Sequence, residues 1–518
     1  MKRHLSLLFV TAAFACSSFA ELRVAPLFQA DMVLQREADV PVWGWADEGG
    51  TVTVAFAGTS ATAVAGTDGA WKVTLGPFKA SAAPAVLSVS TKSACIQVSN
   101  VLVGDVWLCS GQSNMQWPVR QTTNAEAEIA DAQNWPQIRL ATVQNVTAAE
   151  PRKDAQVAWS VCSTASAPDF SAAGYYFGRT LCKELGVPVG LIDSSWGGTP
   201  VEAWTSREML ETMPFLTGRL ERADIARKTF NLEAATKEHE KQLAAWEAAV
   251  AKAKADGTDL PRKPSLWNPN TNPHQPACLF NAMINPLVPF AIKGAIWYQG
   301  EANAGRAIEY RTAFPAMIKD WRQRWGYDFP FLFVQLANFM DVQTEPSQEK
   351  ATWHLLREAQ FMTLSLPKTA MASAIDIGEA RDIHSKNKQE VGRRLALGAL
   401  AVAHGKPVEW SGPLYASHEV KGSNVVVSFT HLGGGLATRD GGALKGFAIA
   451  GEDKTFVWAD ARIDDGRVVV SAPGVAKPAA VRYSWANNPI GNLINKEGLP
   501  ATSFRTDDWQ TGMADEGR

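Results

Sequence analysis

Along the first part of the chain, apolar and polar residues alternate in short segments separated by turn signals. Val40 and Val42, Val52 to Phe56, Trp71 to Leu75, Leu87 and Val89, and Ile96 and Val98 carry their apolar residues at every second position, the period of a half-buried strand. Asp-Gly or Gly-Gly pairs fall between several of these runs, which predicts an all-β sandwich over residues 21–100. From Val101 the texture changes. Apolar runs at 101–110, 188–193, 293–298, 330–336 and 370–375 each lead into a polar loop, most of them glycine-bearing. Helical periodicity over 173–185, stopped by Gly186, and over 388–403 fills spaces between them. Strand, polar loop and helix repeated in this way predict an α/β domain over 101–405, built on a doubly wound parallel sheet with a site along one edge.

That domain is interrupted. Residues 207–263 are charged and alanine-rich, with Leu232, Leu243, Trp246 and Val250 on one narrow helical face, and a proline- and asparagine-rich loop follows at 261–276. A helical insertion at about 207–275 is therefore predicted, either covering part of the site or decorating the surface. After His404 the alternation returns through Val425 to Phe429, Phe456 and Trp458, Val468 and Val470, and Val481 to Trp485. A β domain over 406–518 closes the chain.

Composition adds exclusions. Fifty basic and 52 acidic residues in 518, with no long run of one sign, give no footprint for nucleic acid or an anionic membrane. The 19 tryptophans suit sugar faces, although most of them are expected to fill cores. Lys2 and Arg3 before the apolar run 5–15, with Ser18-Phe19-Ala20 as a small-x-small cleavage site, read as a secretory signal peptide over 1–20. The mature protein is thus expected to be periplasmic or secreted, with no membrane span. A lipid anchor at Cys16 is not expected, because Ala13 and Phe14 fit a lipoprotein site poorly. Cys95, Cys109, Cys162, Cys182 and Cys278 are odd in number and widely spaced, which excludes a disulfide scaffold but leaves room for one bridge, such as Cys162 with Cys182. No CxxC or HExxH pattern calls for a metal, and no cofactor is expected.

The loops after the strands carry the chemistry. Hydrolysis by an alcohol side chain needs a nucleophile, a base that titrates near neutrality, and donors aimed at the developing oxyanion. Gly111-Gln112-Ser113-Asn114-Met115 is a tight turn that lifts a serine clear of the sheet; Ser110 competes with Ser113, and Asn114 is placed to cap a following helix. Among the histidines His384 alone follows a strand with a carboxylate, Asp382, two residues earlier, leaving His274 and His354 as rivals. Gly198 offers an unobstructed N–H and Asn303 a side-chain amide, which with the Ser113 N–H make a three-donor oxyanion hole. Each residue also has a structural use in turns and caps. It is their joint arrival on successive strand ends that points to an esterase.

These blocks, with Trp196-Gly197-Gly198-Thr199, Trp297 to Asn303 and Asp382-Ile383-His384, resemble the SGNH hydrolases, and more narrowly their sialate O-acetylesterase branch. The likeness extends to Asp31 to Arg36, Pro41 to Trp45 and Arg482 to Trp485, and so covers nearly the whole mature chain. It implies Ser113 as nucleophile, His384 with Asp382 completing the triad, Gly198 and Asn303 in the oxyanion hole, and acetate release from O-acetylated sugars through an acetyl-enzyme without cofactor. The Asp-to-His spacing of two suits the branch, where many SGNH enzymes have three; Ser385 stands where proline is common. Gln112, Trp196, Glu301 and Arg381 are candidate substrate contacts, and Arg381 or Arg120 could hold a sialate carboxylate. Acetylated xylan or another polysaccharide is the alternative substrate. Two other classes compete: a glycoside hydrolase using Glu301 with Asp382 or Asp376, and a sugar-binding protein without turnover.

Overall fold

A computed structural model describes residues 22–510; the signal-peptide reading and Cys16 lie outside the described residues. The central sheet is built from β1 (Cys95–Gly111), β2 (Ile138–Val143), β3 (Val157–Val161), β4 (Val189–Ser195), β5 (Gly294–Tyr298), β6 (Phe331–Gln335) and β7 (Thr369–Ser373), in the order β3-β2-β4-β1-β5-β6-β7. All neighbours are parallel except the edge pair β2/β3. The expected wholly parallel sheet is thus corrected to a mixed one. Besides the antiparallel edge, β1 continues backwards to pair antiparallel with Ser81–Ser90 and parallel with Val33–Gln35. Residue 100, where the texture changes, lies inside this one 17-residue strand.

Helices α1 (Ala172–Leu185), α2 (Ala307–Trp325), α3 (Trp353–Met362) and α4 (Lys388–Val402) cover the sheet. On β6, Phe331 and Phe333 pack on Phe314 of α2, while Leu332 lies beneath Gly398 of α4. Both faces of the strand are therefore buried, which is why its sequence is apolar without alternation. Ser171 caps α1 by accepting from the Gly174 N–H at 3.1 Å, and Gly186 ends it in the left-handed conformation. α1 and α4 approach closely at Gly392, where an added Cβ would lie 2.5 Å from the Tyr176 Cβ.

One apolar core runs from Leu22 through the central sheet to Leu414 and takes in Trp485; a second, from Val425 to Phe504, fills the carboxyl-terminal sheets. The insertion forms helices, the longest Leu232–Asp256. Its predicted face is only half-covered: Leu232 is exposed, and Trp246 donates to the Pro261 carbonyl of the insertion's own return loop at 2.8 Å. The open bridge between Cys162 and Cys182 is not formed, since both thiols are free and buried. Among the described residues no helix is long and apolar enough to cross a membrane.

Candidate active site

Register decides where the loops meet. Gly111, the last residue of β1, is flanked by Ser195 at the end of β4 and by Tyr298 at the end of β5. Strand order reverses about β1, with β4 on one side and β5 on the other, so the crevice of an open α/β sheet opens above its carboxyl end. The Gln112 N–H donates to the Tyr298 carbonyl at 3.0 Å and the Trp196 N–H to the Gly111 carbonyl at 3.1 Å, carrying the ladder into the loops. Gly111 has φ +139°, and a Cβ there would lie 2.2 Å from the Tyr298 oxygen, so only glycine fits.

The chain then turns into a single helical turn, Ser113–Gln116. Ser110 is fully buried within β1, whereas Ser113 is partly exposed, and its Oγ lies 2.9 Å from His384 Nε2. His384 arrives on the segment between β7 and α4, its ring stacked on Trp117 with centroids 4.6 Å apart and planes within 15°. Its Nδ1 lies 3.5 Å from Asp382 Oδ1, an ion-pair contact longer than an ordinary hydrogen bond, and the same oxygen accepts the His384 backbone N–H at 2.9 Å. Burial pushes the imidazole below its ordinary 6.5; Asp382 opposes that shift and Lys388 adds to it. A neutral imidazole beside a serine hydroxyl can take its proton.

The β4 loop passes close by. A Cβ on Gly197 would lie 3.2 Å from the Ser113 Cβ, and the Gly197 N–H donates to Gln116 Oε1 at 2.9 Å. Gly198 has φ +76°, and its N–H has no protein acceptor among the described residues. Asn303 is buried; its Oδ1 accepts from the Val201 N–H at 3.0 Å and from Gln299 Nε2 at 2.7 Å, and its Nδ2 donates to Glu202 Oε2 at 3.0 Å. Burial works against ionisation of Glu202, but Arg306, Asn303 and Arg219 outweigh it and hold the carboxyl below its ordinary range. An ionised Glu202 fixes which way the Asn303 amide points, with the second Nδ2 hydrogen lacking a protein acceptor among the described residues.

The other candidates are placed differently. Gln112 is buried, and its Oε1 accepts from the Ala302 N–H at 3.1 Å, tying the β1 and β5 loops. Glu301 lies against Asn114, whose Nδ2 donates to Glu301 Oε1 at 2.6 Å; burial raises the carboxyl above its ordinary value. Asn114 is thus a bridge between loops and not the helix cap its position suggested. Asp376 is held by Arg394 at 2.6 Å and Arg439 at 3.2 Å. Trp196 is partly buried, Arg381 is exposed, and Arg120 pairs with Asp169. Of the rival histidines, His354 is buried against Trp485, while His274 sits on the insertion's return loop, 3.8 Å from where a Gly198 Cβ would stand.

Sequence reasoning missed Glu202, Trp117 and Lys388. A lysine or glutamate looks solvated in sequence, and nothing local marks these two as buried; Trp117 adjoins the motif but carries no chemistry of its own.

Residues 103–236 and 248–401 match the family described as "Carbohydrate esterase, sialic acid-specific acetylesterase". The sialate O-acetylesterase of Mus musculus is 32% identical over 459 residues, 82% of this chain and 81% of that protein; the Homo sapiens enzyme is 32% identical over 447 residues, 79% and 76% of the two chains. The crystal structure of a carbohydrate acetylesterase from Xanthomonas citri superposes with a TM-score of 0.80 at 38% identity, covering 94% of this chain and 100% of the other. The chain belongs to the sialic acid-specific acetylesterase family of carbohydrate esterases and is a carboxylic ester hydrolase.

Proposed function

We propose that the protein is an exported serine esterase that removes O-acetyl groups from sugars, with 9-O-acetylated sialic acids as the first substrate class. The observation that carries the reading is the 2.9 Å contact between Ser113 Oγ and His384 Nε2 at the carboxyl end of β1. Ser113 Oγ attacks the acetyl carbonyl while its proton passes to His384 Nε2. The carbonyl oxygen gains negative charge, stabilised by the N–H groups of Ser113 and Gly198 and the free Asn303 amide hydrogen. The tetrahedral intermediate collapses, the C–O bond to the sugar breaks, and the imidazolium protonates the leaving sugar oxygen. Water, deprotonated by His384, then attacks acetyl-Ser113 and releases acetate, the proton returning to the serine. Asp382 orients the Nδ1 side of the ring.

The relatives named for sialate favour that substrate, and the exposed Arg381 is available for its carboxylate. Acetylated xylan or another polysaccharide is the alternative, because the Xanthomonas citri protein is named only as a carbohydrate acetylesterase. The glycosidase reading is disfavoured: Asp376 is committed to two arginines and Glu301 to Asn114. The test is acid quenching of the enzyme during turnover of an aryl acetate, followed by peptide mass spectrometry. One acetyl group on the Ser113 peptide is expected; an unmodified Ser113 peptide at full turnover overturns the covalent route.

A further inference from the structure

Beneath Ser113 and His384 lies a fully buried lysine that the reaction steps do not use. Lys388 is the first residue of α4, where the positive end of the helix dipole opposes an ammonium group. Its Nζ donates to Asn114 Oδ1 at 2.7 Å and to the Ser385 carbonyl. Asn114 follows Ser113 in the chain, and Ser385 follows His384. The other end of the Asn114 amide donates to Glu301 Oε1 at 2.6 Å and to the Ile383 carbonyl, just before His384, at 3.1 Å. Lys388 and Asn114 together therefore hold the backbone on both sides of His384 to the residue after Ser113. Glu301, on the β5 loop that carries Asn303, joins through Asn114.

We infer that Lys388 is a positioning residue for this reaction: its ammonium group locks the Ser113 turn to the His384 segment through Asn114, and it fixes the Ser385 carbonyl that follows the base. The inference rests on the Ser113–His384 reading above. A solvated lysine would do neither; this one is closed in by the Trp117 ring at 5.8 Å and the Tyr298 ring at 5.6 Å. The charged groups facing it are Glu301 from the β5 loop and Asp382 and Glu379 from the segment before α4; those facing His384 are Asp382 and Lys388. Burial pulls the ammonium down to about 7, with Glu301 and the two other carboxylates opposing it, and Lys388 in turn lowers the imidazole. A rigid link matters here because a displacement of about 1 Å between nucleophile and base costs roughly a hundredfold in rate.

The test is the pH profile of kcat/KM on an aryl acetate for the wild type, Lys388→Met, Lys388→Gln and Ser113→Ala, each checked for folding by circular dichroism. Lys388→Met is expected to lose about a hundredfold in kcat with KM little changed, and its acid limb to move to higher pH. Lys388→Gln keeps a donor without the charge, so part of kcat returns while the acid limb stays displaced. It carries the test alone should Lys388→Met not fold. Folded variants with wild-type kcat and an unmoved acid limb overturn the inference, provided Ser113→Ala is inactive. An active Ser113→Ala overturns instead the reading on which it rests.

Discussion

Replacing Asn303 with alanine separates a catalytic amide from a structural one. The side chain is 2% exposed, and three of its hydrogen bonds have named partners: Val201 N–H, Gln299 Nε2 and Glu202 Oε2. Gln299 Nε2 keeps a second acceptor in the Thr199 carbonyl at 3.2 Å, and Glu202 keeps Arg219 at 2.6 Å and Arg306 at 2.9 Å. Both arginines bond Glu202 Oε1, so the Val201 N–H loses its acceptor and the buried Glu202 Oε2 its donor, and the stability cost is about 1–3 kcal/mol for each group left unpaired. Loss of an oxyanion donor costs about 3–4 kcal/mol in the transition state, a fall in kcat of roughly 10²–10³. Steady-state kinetics on an aryl acetate and an acetylated sugar, with denaturant melts of both proteins, read the two effects separately. A folded Asn303→Ala with kcat within about threefold of wild type, or with its whole loss in KM, refutes the oxyanion role. Asn303→Asp adds a check: it keeps the acceptor for Val201 but sets a carboxylate oxygen against Glu202, so it restores neither kcat nor stability.

Three further outcomes follow from the same geometry. Asp382→Asn is expected to cost about tenfold in kcat, well short of the roughly 10⁴ seen for a buried triad aspartate, because the 3.5 Å contact is long and both side chains are partly exposed. Since Asp382 raises the His384 pKa, its neutralisation moves the acid limb of kcat/KM to lower pH, opposite to the shift expected for Lys388→Met. Asp193, buried on β4 with its Oδ1 accepting from Ser195 Oγ at 2.6 Å, has its carboxyl pushed up to about 7 by burial. A folded value above the unfolded 3.8 means stability that is present at low pH and lost as pH rises through 7, so Asp193→Asn should gain on the order of 4 kcal/mol by pH 8 and little at pH 4, read by denaturant melts. Gly111→Ala meets the Tyr298 carbonyl oxygen at 2.2 Å and should not yield a folded, active enzyme; soluble expression with wild-type activity contradicts the register described for β1.

Much of this was legible in the sequence where burial was uniform. Strands covered on both faces show as mainly apolar runs without alternation, and β4, β5, β6 and β7 are of that kind, with polar residues such as Asp193 and Gln335 confined to their ends. The change of texture at Val101 is real, but it is a change of burial within one strand: β1 alternates while one face is covered and becomes fully buried and mostly apolar once both are, with Asp105 paired to Arg36. The edge pair β2/β3 has no such run. Arg139 sits buried inside β2, reaching the carbonyls of Asp31 and Asn100, and it interrupts the pattern. The residues proposed to carry the reaction, Ser113, His384, Gly198 and Asn303, stand after strand ends in segments whose composition marks them. Their supports do not, because Lys388, Glu202 and Asn114 owe their roles to partners distant in sequence.

The most direct test of the account is acetate release by the purified protein from 9-O-acetylated sialic acid and from acetylated xylan, side by side, with Ser113→Ala as control. Release from the sialic acid in excess of xylan, abolished in Ser113→Ala, is the predicted result; preference for xylan would reassign the substrate while keeping the mechanism. Release that survives Ser113→Ala, or none from either glycan, contradicts the serine esterase built on Ser113 and His384.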